Sequence, residues 1–164
     1  MTAASAVPAV AAALPTDSVA TDPAVAQHVV LDTNIVLDLC VFSDPATLPL
    51  HAALQSGALQ WIATQTMRDE LERVLAYPNI APRLTYYQRT AQDVLAQFDA
   101  LVALHPVAAK ASVTCKDADD QKFIDLAIAH RAILLSKDKA VLCMAKRLAA
   151  RGTRVGREWA GACG

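Results

Sequence analysis

No stretch of this sequence approaches the roughly 18 consecutive apolar residues that a membrane-spanning helix needs, so no membrane partner is expected. Nor is there a CxxC pair. Cys40, Cys115, Cys143 and Cys163 are far apart, which argues against a zinc site or a disulfide framework and fits reduced thiols in a cytoplasmic protein. Residues 1–27 contain no Lys or Arg. A secretory signal needs a positive start and a transit peptide needs arginines, so neither is expected there. This Ala-, Val-, Pro-, Thr- and Ser-rich segment, interrupted by Pro8, Pro15 and Pro23, reads as a disordered leader. An excess of positive charge is also missing. A formal net charge of -1 and a pI near 6.4 exclude a strongly basic nucleic-acid surface, and any contact with nucleic acid must rely on local charge or on a metal ion.

What is present is a chain of 164 residues, 54% hydrophobic, enough to bury a proper core in one domain. Its organising stretch is Val29-Val30-Leu31-Asp32-Thr33-Asn34-Ile35-Val36-Leu37. The short apolar run reads as a buried parallel strand and residues 35–42 as the helix after it. Asp32 then stands at the carboxyl end of the strand, where open α/β sheets place their chemistry. Beyond it, a helix is expected over 46–56 with Gly57 ending it, a strand over 59–63, and a helix capped by Thr64 or Thr66 that stops before Pro78. A long helix follows over 85–103. The acidic cluster Asp117-Ala118-Asp119-Asp120 opens another, running to about 131. A strand over 133–136, a helix over 140–151 closed by Gly152, and a short edge strand over 153–155 complete the pattern. Strands alternating with helices imply a single-domain three-layer α/β/α sandwich around a central, mainly parallel sheet, spanning 28–155 with a tail at 156–164.

The direction of the acids decides which of them matter. In the helix after the second strand, Met67, Leu71, Val74 and Leu75 form the apolar stripe. Glu70 falls at its edge, whereas Asp69 and Glu72 fall outside it. In the helix after the acidic cluster, Phe123, Ile124, Ala127 and Ile128 define the buried side and Asp120 projects from it, with Lys122 and Asp125 assigned to the solvated side. Asp138 repeats the logic of Asp32, just past an apolar strand. Four acids, Asp32, Glu70, Asp120 and Asp138, thus converge on one edge of the sheet. Carboxylates held together repel unless a cation lies between them. Oxygen ligands without His or Cys favour Mg2+ or Mn2+, and such a site suits phosphodiester hydrolysis. Thr33 and Ser136 are candidates to orient a carboxylate or a water, though small hydroxyls at strand ends more often cap helices, and Asn34 either positions a ligand in the same shell or serves a turn. Asp117 is a helix cap or a contributor to the same shell. Arg68, Arg73, Lys122, Lys137, Lys139, Lys146 and Arg147 supply local positive charge, most of it ordinary solvated surface.

These motifs, Asp32-Thr33-Asn34, Glu70-Leu71 with Val74-Leu75 and Pro78 behind it, Asp117-Ala118-Asp119-Asp120 before Lys122-Phe123, and Leu135-Ser136-Lys137-Asp138, resemble the successive acidic motifs of the PIN-domain nucleases. The resemblance is closest to the toxin components of bacterial toxin-antitoxin systems. It implies a PIN-like fold and a Mg2+- or Mn2+-dependent ribonuclease acting on single-stranded RNA, often dimeric and often restrained by a cognate antitoxin. Asp32, Glu70, Asp120 and Asp138 would be its catalytic and metal-binding residues.

Two positions depart from the family pattern. The second acid usual after the strand-end aspartate is replaced by Ala140, and the connection His130-Arg131-Ala132 lacks the frequent glycine. The first departure supports a rival reading, a catalytically weak or inactive PIN-like module that acts through a protein or RNA partner. A haloacid-dehalogenase-like phosphatase would need an acid where Asn34 stands, and a phosphoacceptor receiver domain would need paired acids near the first strand. Neither is present.

Overall fold

The computed structural model describes residues 26–159, so the leader expected at 1–27 lies outside the described residues but for its last two. In chain order the elements are β1 (Gln27–Leu31), α1 (Thr33–Cys40), a 3-10 turn (Pro45–Thr47), α2 (Leu48–Ser56), β2 (Leu59–Ala63), α3 (Gln65–Leu75), α4 (Ala81–Tyr86), α5 (Ala91–Leu101) and β3 (Val102–Leu104). A second 3-10 turn (Ala118–Asp120) then leads into α6 (Gln121–His130), β4 (Ile133–Leu135), α7 (Lys139–Leu142), α8 (Ala145–Ala149) and β5 (Val155–Gly156).

The five strands form one sheet in the order β3-β2-β1-β4-β5, and every pairing is parallel. Parallel neighbours need crossovers, and helices supply them, giving the α/β/α sandwich that alternation implies. The chain runs outward from β1 to β3 through α1 to α5 and returns to β4 and β5 through α6 to α8, and the right-handed rule for parallel crossovers puts the two groups of helices on opposite faces. The order reverses between β1 and β4, so the crevice for a ligand opens beyond the carboxyl ends of those two central strands. Burial agrees with that central place: Val29, Val30, Ile62 and Leu134 are fully buried, and Trp61 sits edge-on to Phe98 at 5.0 Å in the core. The half-buried Trp159 also packs against this core.

Three expectations are corrected. The long helix expected over 85–103 is two helices and a strand. Thr90 caps α5 through a reciprocal pair with Asp93 (Asp93 N–H to Thr90 Oγ1, 3.0 Å; Thr90 N–H to Asp93 Oδ2, 3.0 Å), a signal that starts a helix there and excludes one running through it. Val102 to Leu104 then leave the helix and pair with β2, because the edge of a parallel sheet satisfies their backbone groups. The helix expected over 140–151 is broken at Cys143 and Met144 into α7 and α8. The last strand is shifted to Val155 and Gly156, where Ser136 N–H donates to Gly156 C=O at 2.9 Å. Arg131 ends α6 in the left-handed region (φ 50°), doing the work that the absent glycine would do there.

Candidate metal centre

Asp32 follows β1 directly and Asp138 follows β4 after two residues, so the two strands that flank the reversal each deliver one acid to the same crevice. Asp120 arrives from the start of α6. Its backbone sits at the N-cap, yet its side chain makes no capping bond, and neither does that of Asp32 at the start of α1. Capping therefore does not account for either carboxylate. Asp32, Asp120 and Asp138 each offer an oxygen within 4.8 Å of the others. Asp32 and Asp120 are buried, at 5% and 6% exposure, and Asp138 is half-buried.

Ser136 sets the spacing of two of these acids. Its buried hydroxyl donates to Asp32 Oδ2 at 2.6 Å and accepts the Asp138 backbone N–H at 3.0 Å. Asp138 in turn accepts the Ala140 N–H through Oδ1 (2.9 Å), capping α7 and leaving its other oxygen for the crevice. The position at which the family pattern has a second acid is thus occupied by a residue whose backbone steadies Asp138.

The electrostatics point to a cation. Burial raises the Asp32 carboxyl above its ordinary range, partly offset by the Ser136 hydrogen bond and raised further by the charges of Asp138 and Glu70. Asp120 is pushed up to about 8, first by burial, then by the Asp138 carboxylate beside it and the charge of Asp32. Its Oδ2 is buried without a hydrogen-bond partner. A buried carboxylate oxygen left bare is costly, and a hard divalent ion held by oxygens removes both the repulsion and the missing contact. The donor set fits magnesium or manganese. It does not fit a metal that prefers nitrogen or sulfur.

Glu70 lines the same concavity, of about 480 Å³, from α3. It lies outside the group of three and has partners of its own: Thr33 Oγ1 donates to its Oε2 at 2.6 Å, and Lys122 forms an ion pair with it. Helical phase puts Lys122 on the solvated side of α6, yet its ammonium reaches this carboxylate. The expectation for Asp125 is corrected as well. It is half-buried, and its Oδ1 accepts the Ala111 N–H (2.9 Å) and Gln121 Nε2 (2.8 Å), fastening the segment between β3 and α6 to the helix. Lys137, offered above as positive charge for a phosphate, is paired with the buried Asp38.

Of the remaining candidates, Asn34 is exposed on the wall of the concavity and Asp117 caps the second 3-10 turn, accepting the Asp119 N–H at 2.9 Å. Arg73, Tyr77 and Asn79 also line the concavity. Tyr77 and Asn79 escaped the sequence reading because they lie past the end of α3, where helical phase no longer says which way a side chain points.

The match of this chain to a known family agrees with the geometry: the model described as "PIN domain" covers residues 28–140, more than half of the sequence. No curated protein matches the chain.

Proposed function

The chain belongs to the PIN domain family, and from that premise we propose that it is a metal-dependent endoribonuclease that hydrolyses phosphodiester bonds of single-stranded RNA, the toxin of a toxin-antitoxin pair. The observation that carries the reading is the convergence of Asp32, Asp120 and Asp138 around a buried, unpartnered oxygen at the point where the strand order reverses. These three residues would hold Mg2+ or Mn2+, with Glu70 beside them. When bound, such an ion supplies hydroxide from water near neutral pH and neutralises charge on the phosphoryl group.

The residues of the chain divide the remaining tasks. Ser136 fixes the Asp32 carboxylate and the start of the Asp138 loop, so that their oxygens are placed before the ion arrives. Lys122 and Thr33 hold Glu70 at the rim. Arg73 and Tyr77, both exposed and lining the concavity, would offer a cation for a phosphate and a ring for a base. The reading extends to a cytoplasmic location, a cognate antitoxin that restrains the enzyme, and a homodimer. No single helix among the described residues is long and apolar enough to cross a membrane.

The test is cleavage of mixed single-stranded RNA by the purified full chain. Products should appear with manganese, vanish in EDTA and return when manganese is restored in excess. Undiminished cleavage in chelator would overturn the mechanism. One observation favours a second reading, a weak or inactive module that binds a protein or RNA partner: the charge of Glu70 is already matched by Lys122, and Ala140 adds no acid. Calorimetric manganese binding with no cleavage of any RNA tried would select it.

A further inference from the structure

At the opposite end of α6 from Asp120, three histidines from three separate parts of the chain meet. His28 lies on β1, His105 follows β3, and His130 is the last residue of α6. Their ring centroids are 6.1 Å (His28–His105), 5.7 Å (His28–His130) and 4.6 Å (His105–His130) apart, with the rings edge to face. All three are half-buried, and the nuclease chemistry proposed above uses none of them.

Three imidazoles form a donor set of nitrogen alone. Such a set suits zinc, copper or nickel and is poor for magnesium, the reverse of the carboxylate centre. Three imidazoles on one tetrahedral ion, with metal–nitrogen distances of ~2.0–2.1 Å, have ring centres roughly 5 Å apart, and the observed separations bracket that value. The ring nitrogens do not all lie within 4.8 Å of one another as the rings stand, so binding would require His105 and His130 to turn about their Cβ–Cγ bonds toward His28. His28 is already held as ligating histidines are. Its Nε2 lies 3.1 Å from Gln60 Oε1, and in the tautomer that donates there, Nδ1 is left for an ion. The neighbouring cation, Arg131, extends beside Gly152.

We propose that His28, His105 and His130 form a second cation site, for zinc or a divalent ion of similar softness, with its fourth position open to solvent. By joining β1, the segment after β3 and the end of α6, the ion ties residues that lie 77 and 25 positions apart in sequence into one cross-link. Anything that binds only the folded chain stabilises it by mass action, so zinc should raise the melting temperature whether or not RNA is cut.

The experiment titrates Co2+ into the full chain with magnesium in excess to occupy the carboxylates, and follows the visible absorption that four-coordinate cobalt gives. One equivalent should bind and be displaced by zinc. His105→Gln and His130→Gln should each weaken binding by at least about tenfold, abolish the zinc-dependent rise in melting temperature, and leave the melting temperature in chelator close to that of the parent chain. Asp120→Asn should leave the cobalt spectrum intact. Absence of the absorption, its survival in both histidine variants, or its loss in Asp120→Asn alone would overturn the proposal.

Discussion

Two walls of one concavity carry acids in opposite conditions. On the sheet side, Asp32, Asp120 and Asp138 press together, two of them buried, with one oxygen bare. On the α3 side, Glu70 faces the same space with an ion pair to Lys122 and a hydroxyl donor from Thr33. The first set is left in need of a cation and the second already has one. Counting acids would treat all four alike, whereas their partners separate a centre that must recruit positive charge from a residue that arrives neutralised. On the proposed reading an ion would sit among the three aspartates, with Glu70 beside them in the same concavity.

The largest effect expected from this division is at Asp120. Asp120→Asn keeps the size and removes the charge, and RNA cleavage should fall by at least about a hundredfold, roughly 2.7 kcal/mol of transition-state stabilisation. Glu70→Gln should cost less. Equal losses at the two positions would erase the distinction between the walls. The same carboxyl gives a pH signature in the metal-free protein. Its folded pKa of about 8 lies above the ordinary 3.8, so between those values the unfolded chain ionises first. The stability it contributes is full below about pH 4 and is lost as the pH rises towards 8. Thermal melts in EDTA should show the midpoint falling over that window, with a shallower fall in Asp120→Asn. Manganese should remove the fall.

The next effect is at Ser136. Ser136→Ala takes the donor from Asp32 and leaves the Asp138 N–H without its acceptor. Manganese affinity should drop about tenfold, and stability should fall by ~1–3 kcal/mol for the unsatisfied buried group. Calorimetry and denaturant melts on the same variant would separate the two. Loss of stability with unchanged affinity would make Ser136 a structural brace only.

The sequence brings these acids to one edge of the sheet but treats all four alike, and what it hides is the partners that set Glu70 apart. Asp32 and Asp138 stand past apolar runs too short for helices, and a strand end has only one direction to offer. Asp120 shares the phase of Phe123, Ile124 and Ala127, which are buried as expected. The segment Val102-Ala103-Leu104 continued the apolar stripe of α5, and three apolar residues fit a helix or a strand equally well. Only its pairing with β2 decides. Thr90 with Asp93 was a readable break that the stripe concealed. Lys122 was out of reach because its side chain is long: a lysine whose Cα faces away from a site can still bring its ammonium to it. The histidine cluster was hidden for another reason, since positions 28, 105 and 130 meet only through the sheet order.

A smaller effect tests the rim. Lys122→Met leaves Glu70 without its counter-charge and makes the concavity more negative. Manganese should then bind about two- to fivefold more tightly, the size of effect expected for a half-buried pair that solvent still screens, while RNA binding weakens through the lost cation. Weaker manganese binding in this variant would mean that Lys122 positions a ligand and does not merely compete with the ion.

The smallest effect is expected at Asp125, five residues from Asp120 and, at about 100° per residue, roughly 140° away around the axis. It is an acid with a task, but one that needs an acceptor and no charge. Its Oδ1 takes the Ala111 N–H and Gln121 Nε2. Asp125→Asn keeps a carbonyl oxygen at that place, so both donors can remain satisfied and the segment leading to the second 3-10 turn stays fastened to α6. Cleavage should change by less than about threefold, ~0.6 kcal/mol, with a melting temperature close to that of the parent chain. Asp125→Ala removes the acceptor, leaves the Ala111 N–H unpaired, and should lower stability while sparing the activity of the folded fraction. If Asp125→Asn instead lost as much cleavage as Asp120→Asn at unchanged stability, charge at the two positions would be acting on the same centre, and the phase of α6 that places Asp120 alone against Asp32 and Asp138 would be wrong.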